Sequence, residues 1–116
     1  MKANHHGSWD SNTAEFLGVV QPRVIVITPR AEGHPAVNTF QRMTSKAVWP
    51  GPRDIFITHV TPSTAQTTYK IDQAKVQNGH IVIRVDAGGD TYHVYSLDDS
   101  DEDQRVTGVF GPYQSR

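Results

Sequence analysis

Lys2-Ala3-Asn4-His5-His6-Gly7-Ser8-Trp9-Asp10-Ser11 sets two histidines side by side, then a glycine and a serine, just ahead of a helix-like stretch. Imidazole is a common metal ligand and the usual general acid or base near neutral pH. Gly7 permits a sharp turn after the pair, and Ser11 or Asn12 is suited to cap the helix that follows. The order is the end of a strand, a polar corner and a helix start, the form that ligand-bearing loops often take. If His5 and His6 continue an extended segment, their side chains point to opposite faces. Both reach one metal ion only if the backbone turns there. Otherwise one is a ligand and the other stands behind it or faces substrate, and the residue order assigns neither role. The plainer reading is a pair of exposed polar residues or a tag remnant. Against a tag stands the patterned sequence that follows directly.

Working outward, the stretch from Ser11 or Asn12 to about Val20 reads as a short helix. Ala14, Leu17 and Gly18, with Phe16 and Val19-Val20 nearby, fit one buried face, and Gln21-Pro22 ends it. Arg23 to Thr28 is a β-branched run of the kind buried on both sides in a sheet flanked by helices. The polar loop after it carries Gly33-His34-Pro35. His34 there either bonds to the backbone or serves a site. Pro35 suits the first turn of a helix from about Ala36 to Lys46, with Val37, Phe40 and Met43-Thr44 as core positions. Val48-Trp49-Pro50-Gly51-Pro52 is a rigid turn. Asp54 to Val60 gives a third strand, with His59 as an edge histidine.

Thr61 to Asp72 reads as a loop with room for a short strand near Thr68-Ile71. His80 to Asp86 and Thr91 to Leu97, joined by Ala87-Gly88-Gly89-Asp90, form a clear hairpin signal. Ile81, Ile83 and Val85 share one face of it, and His80 and His93 read as exposed strand residues. Asp98-Asp99-Ser100-Asp101-Glu102-Asp103 has the opening spacing of a calcium loop, but Gln104 and Phe110 stand where that loop needs glycine and glutamate. A solvated acidic loop is the expectation. Arg105 to Phe110 adds an edge strand, and Gly111-Pro112-Tyr113 is expected to end the structure.

His5-His6-Gly7-Ser8-x-x-Ser11, then Glu15-Phe16-Leu17, then Gln21-Pro22-Arg23-Val24-Ile25-Val26-Ile27, then Gly33-His34-Pro35, resembles the C-terminal part of a metallo-β-lactamase-fold hydrolase. The branch it resembles is the ComEC-like one, and the likeness covers about Lys2 to Met43. The resemblance implies a binuclear metal site, usually zinc, in a four-layered αββα fold, with metal-activated water attacking phosphodiesters, esters or lactams. The portion implied here is the C-terminal half of that sandwich: a mixed sheet with two helices and a closing β-hairpin. By the same resemblance His5 or His6 inherits the last metal ligand, His34 a recurrent position near the catalytic site, and Ser8 and Ser11 structural positions in the loop. The chain departs from the family by lacking the His-x-His/Asp-x-Asp-His segment and the later aspartate. Its other histidines, His34, His59, His80 and His93, are not spaced to replace them. The expectation is therefore one domain over 1–116, with an acidic loop and tail from 98, forming the trailing part of a hydrolase. The expected partner is the missing N-terminal half or a second copy of the chain. The alternative is a non-catalytic binding or assembly module with an α/β half-fold, which uses its open sheet edge or an uncovered core face to join a partner or itself.

Composition narrows the classes further. The 116 residues suit one domain, and 36% apolar residues support only a modest core. Net charge is -1 and the isoelectric point is near 6.6, so no global basic field recruits nucleic acid, which enters only as a substrate. The absence of cysteine excludes disulfides, thiolate metal sites and cysteine nucleophiles, and fits a cytoplasmic protein. No apolar run approaches the roughly 18 residues of a membrane span, and no signal peptide is visible. There is no G-x-S-x-G nucleophile elbow and no phosphate-binding loop.

Overall fold

A computed structural model describes residues 1–115. They form a mixed α/β structure that divides into two compact units, Met1–Gln77 and a second that begins at Asn78.

The first unit is built on parallel pairing. Strands β1 (Val24–Ile27) and β2 (Asp54–Ile57) lie side by side, Val24 opposite Asp54 and Ile27 opposite Ile57. Lys2 bridges Val26 and Val76 bridges Phe56, both in the parallel sense. The amide of Ala3 donates to the Val26 carbonyl at 2.8 Å, and the amide of Ile57 donates to the Val76 carbonyl at 2.8 Å. Residues 1–3, β1, β2 and residues 75–77 thus run side by side in one direction. Helix α1 (Ala14–Val20) connects the first to β1, and α2 (Val37–Thr44) connects β1 to β2. Helix α3 (Pro62–Thr67) and a single turn, Ile71–Gln73, lie between β2 and residues 75–77.

The core follows from the strand chemistry. Val24, Ile25 and Ile27 are buried, as a run sandwiched between helices should be. They join Leu17 of α1, Phe40 and Met43 of α2, Ile55 and Ile57 of β2, and Trp49 of the Pro-Gly turn. The Arg53 guanidinium lies 3.7 Å over the Trp49 ring and caps that side of the core.

Several local expectations change. Helix α1 starts later than Ser11 or Asn12, because both side chains bond to Asn4. Thr13 takes the cap instead, its hydroxyl accepting from the Phe16 amide. Of the apolar face expected on α1 only Leu17 is buried, and Val19 is 85% exposed. Helix α2 is shorter at both ends than Ala36 to Lys46. Ala36 is its N-cap, and Val37 is partly exposed. The stretch from Thr61 holds α3 and a turn rather than a loop with a strand. Thr61 caps that helix and Pro62 occupies its first position, both standard start signals.

The second unit is an antiparallel sheet, β3 (His80–Val85), β4 (Thr91–Leu97) and β5 (Val106–Gln114), in that order. The hairpin pairs His80 with Leu97 and Val85 with Tyr92, the register its alternation demands. Val94, Ser96 and Tyr113 are its buried residues. Among the described residues the parallel and antiparallel strands belong to separate sheets rather than one mixed sheet. Strand β5 runs through Gly111-Pro112 instead of stopping there. Pro112 lies on an edge strand at a break in its register with β4, where it has no paired residue and its missing N–H breaks no ladder. The acidic run is organised by one cation. Arg105 lies 3.0 Å from Asp101, 3.5 Å from Asp103 and 3.6 Å from Asp98.

Candidate functional site

The carboxyl ends of the parallel strands gather the histidine-bearing loops. Asn4–Gly7 leaves the first segment, residues 28–35 leave β1, and Thr58-His59 leaves β2. Open α/β sheets place their ligands outside this edge.

At the first loop the backbone does turn. His5 (φ 46°), His6 (φ 58°) and Gly7 (φ 79°) are successive left-handed residues, and the Ser8 amide closes the turn on the His5 carbonyl at 2.8 Å. Left-handed conformations cost a non-glycine residue on the order of 1 kcal/mol each, so something must hold them. Three anchors do. Asn12 mimics a strand neighbour: its Oδ1 accepts from the Asn4 amide and its Nδ2 donates to the Asn4 carbonyl, both at 3.0 Å. The Ser11 hydroxyl donates to the Ser8 carbonyl at 2.8 Å. Arg42 of α2 donates to the carbonyls of Asn12 (3.1 Å), Ser11 (2.9 Å) and Trp9 (3.3 Å) and to the Thr39 hydroxyl (2.9 Å). Ser11 thus braces the loop through its hydroxyl, and Ser8 through its amide and carbonyl.

Gly7 fastens this loop to the one carrying His34. The Ala36 amide donates to the Gly7 carbonyl at 2.9 Å. A Cβ on Gly7 would sit 3.1 Å from Pro35 Cβ and 3.2 Å from Ile27 Cγ2. The loop around His34 is held in turn by α3. The Thr64 hydroxyl accepts from the Gly33 amide at 3.0 Å, and the buried Thr68 hydroxyl donates to the Pro35 carbonyl at 3.2 Å.

This packing brings the imidazoles together. The His5 and His6 ring centroids are 6.4 Å apart; those of His6 and His34 are 6.3 Å apart, with the planes within 4° of parallel. His6 Nδ1 lies 2.7 Å from the Thr28 carbonyl oxygen. A carbonyl only accepts, so Nδ1 carries the proton, and in the neutral ring Nε2 keeps its lone pair. His5 Nδ1 lies 3.1 Å from Asp10 Oδ1. The Ser8 hydroxyl, and after it the His5 imidazole, hold the Asp10 carboxyl below its ordinary value, so it is an acceptor and His5 Nδ1 the donor. Metal-ligating histidines are fixed in this way, through the ring nitrogen that faces away from the ion. Among the described residues His34 Nδ1 is buried without a hydrogen-bond partner, and such groups call for a functional explanation.

As placed, the rings do not share one focus. Nε2 atoms about 2.0–2.1 Å from a tetrahedral zinc put ring centroids about 5 Å apart, closer than those seen here. Among the described residues no three or more His, Asp, Glu or Cys side chains already converge as a metal-holding group. Two imidazoles fixed through Nδ1, with Nε2 as the remaining donor atom, are of the kind zinc takes, while their spacing is wider than ligands of one ion adopt.

Beside Asp10 opens a groove of about 390 Å³ lined by Trp9, Asp10, Thr13, Ala14, Glu15 and Arg42. Asp10, Trp9 and Arg42 were not singled out in the sequence. The available signal was the short reach from His5 to Asp10 across a glycine turn. The other histidines lie elsewhere. His59 is exposed on the same carboxyl edge, His80 is exposed on β3, and His93 Nδ1 bonds to Asp86 at 3.2 Å within the hairpin. Among the described residues no helix is long and apolar enough to cross a membrane.

Comparison with protein-family models, with curated proteins and with solved structures returned no match.

Proposed function

We propose that this chain is the histidine-bearing C-terminal part of a metal-dependent hydrolase, with His6 and His5 as zinc ligands through Nε2 and His34 beside them. The observation that carries the reading is the His6 anchor. Its Nδ1 is locked on the Thr28 carbonyl, its Nε2 is left free, and the ring stacks parallel to His34, whose own Nδ1 is buried without a partner. A zinc ion held there supplies the Lewis acidity that brings water towards ionisation near neutral pH. The chain's own residues do the rest. Asp10 orients His5 and Thr28 orients His6. Catalytic zinc takes three protein ligands, so in this reading His34 completes the set. The lack of cysteine supports a cytoplasmic setting.

Equilibrium dialysis against zinc tests the reading. The wild-type chain is expected to retain zinc stoichiometrically, the His5→Ala/His6→Ala double variant to lose it, and His80→Ala to keep it. Zinc retained equally by wild type and the double variant, or by neither, overturns the proposal.

A further inference from the structure

We infer that the free edge of β3 pairs antiparallel with the same edge of a second copy of this chain, centred on Ile83. The inference is independent of the zinc reading. The Asp86 amide donates to the Thr91 carbonyl at 2.9 Å, which fixes the alternation of the hairpin ladder. The even-numbered residues of β3 bond to β4, and the amides and carbonyls of Ile81, Ile83 and Val85 point away from it. No bond to those groups occurs among the described residues.

The two edges of this sheet are built differently. Strand β5 carries Gly108, Gly111 and Pro112 and two breaks in register, devices that prevent edge pairing. Strand β3 contains neither glycine nor proline and no break in register, and Ile83 and Val85 on it are 48% and 59% exposed.

The sequence of β3 is self-complementary in one register. With Ile83 opposite Ile83 of the second copy, Ile81 faces Val85 and every outward amide meets a carbonyl. On the other face His80 falls opposite Asp86, and Arg84 opposite Val82. The Asp86 carboxylate already accepts from Thr91 and His93, and retains lone pairs for a further donor. Sliding by two residues one way sets Arg84 directly against Arg84, and the other way takes His80 away from Asp86. Like charges directly opposite are destabilising, so charge selects the register centred on Ile83.

Sedimentation equilibrium and amide hydrogen exchange on the full chain test this. The wild type is expected to dimerise by about 100 µM, and Ile83→Lys, which opposes two ammonium groups, to weaken the dimer at least about tenfold. His80→Asp, which opposes Asp86, should weaken it in the same direction. Exchange at the Ile81, Ile83 and Val85 amides should slow as protein concentration rises, while the Val82 and Arg84 amides stay protected throughout. This second readout needs no variant to fold. A monomer at that concentration, a dimer indifferent to Ile83→Lys, or odd-position amides that exchange at a concentration-independent rate overturns the inference.

Discussion

Replacing Gly7 by alanine probes the joint between the two histidine loops. Two costs add. Gly7 is left-handed (φ 79°), a conformation that costs an L-residue about 1–2 kcal/mol. The new methyl carbon would stand 3.1 Å from Pro35 Cβ, 3.2 Å from Ile27 Cγ2 and 3.3 Å from Pro35 Cα. Ile27 is fully buried in β1, so it has little room to yield, and overpacking of this kind costs about 1–3 kcal/mol. The sum is about 2–5 kcal/mol, a large share of a small domain's stability. Urea unfolding followed by fluorescence reads it, because Trp49 is buried in the same core. With a slope of about 1.5 kcal/mol per molar, the midpoint should fall by about 2 M. A fall of less than about 0.5 M would refute the reasoning, since the Gly7–Pro35 contact would then be loose enough to absorb a methyl group.

Arg42→Ala removes a guanidinium that donates to the carbonyls of Trp9, Ser11 and Asn12. A loss of about 2 kcal/mol is expected, with little recovery in Arg42→Lys, because an ammonium cannot reproduce the fork; thermal unfolding checks both. In the hairpin the Thr91 hydroxyl, 2.5 Å away, and then His93 hold the Asp86 carboxyl below its ordinary value of 3.8. A depressed carboxylate contributes stability that is present above 3.8 and is lost as pH falls through the lower folded value. Thr91→Val should therefore raise the Asp86 titration midpoint towards 3.8, followed by carboxyl carbon shifts, and move acid unfolding to higher pH.

The alternating apolar runs made the strands legible, and the turn chemistry of Ala87-Gly88-Gly89-Asp90 made the hairpin legible with its register. The buried run at 24–27 was clear because β-branched residues without alternation fit only a sheet covered on both faces. Helix α3 was hidden by its own composition: threonine and serine favour loops, and the Thr61-Pro62 start signal was outweighed. The cap of α1 moved because Ser11 and Asn12 found partners across the loop, a tertiary effect that local propensity does not contain. Strand β5 passed its proline because that residue lies on an edge. At the candidate site the residue types and the need for a turn at His5-His6 were visible. The approach of His6 to His34 was not, because parallel pairing of residues 1–3 with β1 creates it. The Thr28 carbonyl and Asp10 were equally hidden, since what they supply is position relative to a ring.

Long-range ¹H–¹⁵N correlation spectra of the histidine rings during zinc titration address the site most directly. His6 should begin as the Nδ1–H tautomer imposed by Thr28. On adding zinc its Nε2 resonance should shift, together with that of His5, while Nδ1 keeps its proton and His80 and His93 stay unchanged. A His6 ring that starts as the Nε2–H tautomer, or a zinc response confined to His80 and His93, would contradict the assignment.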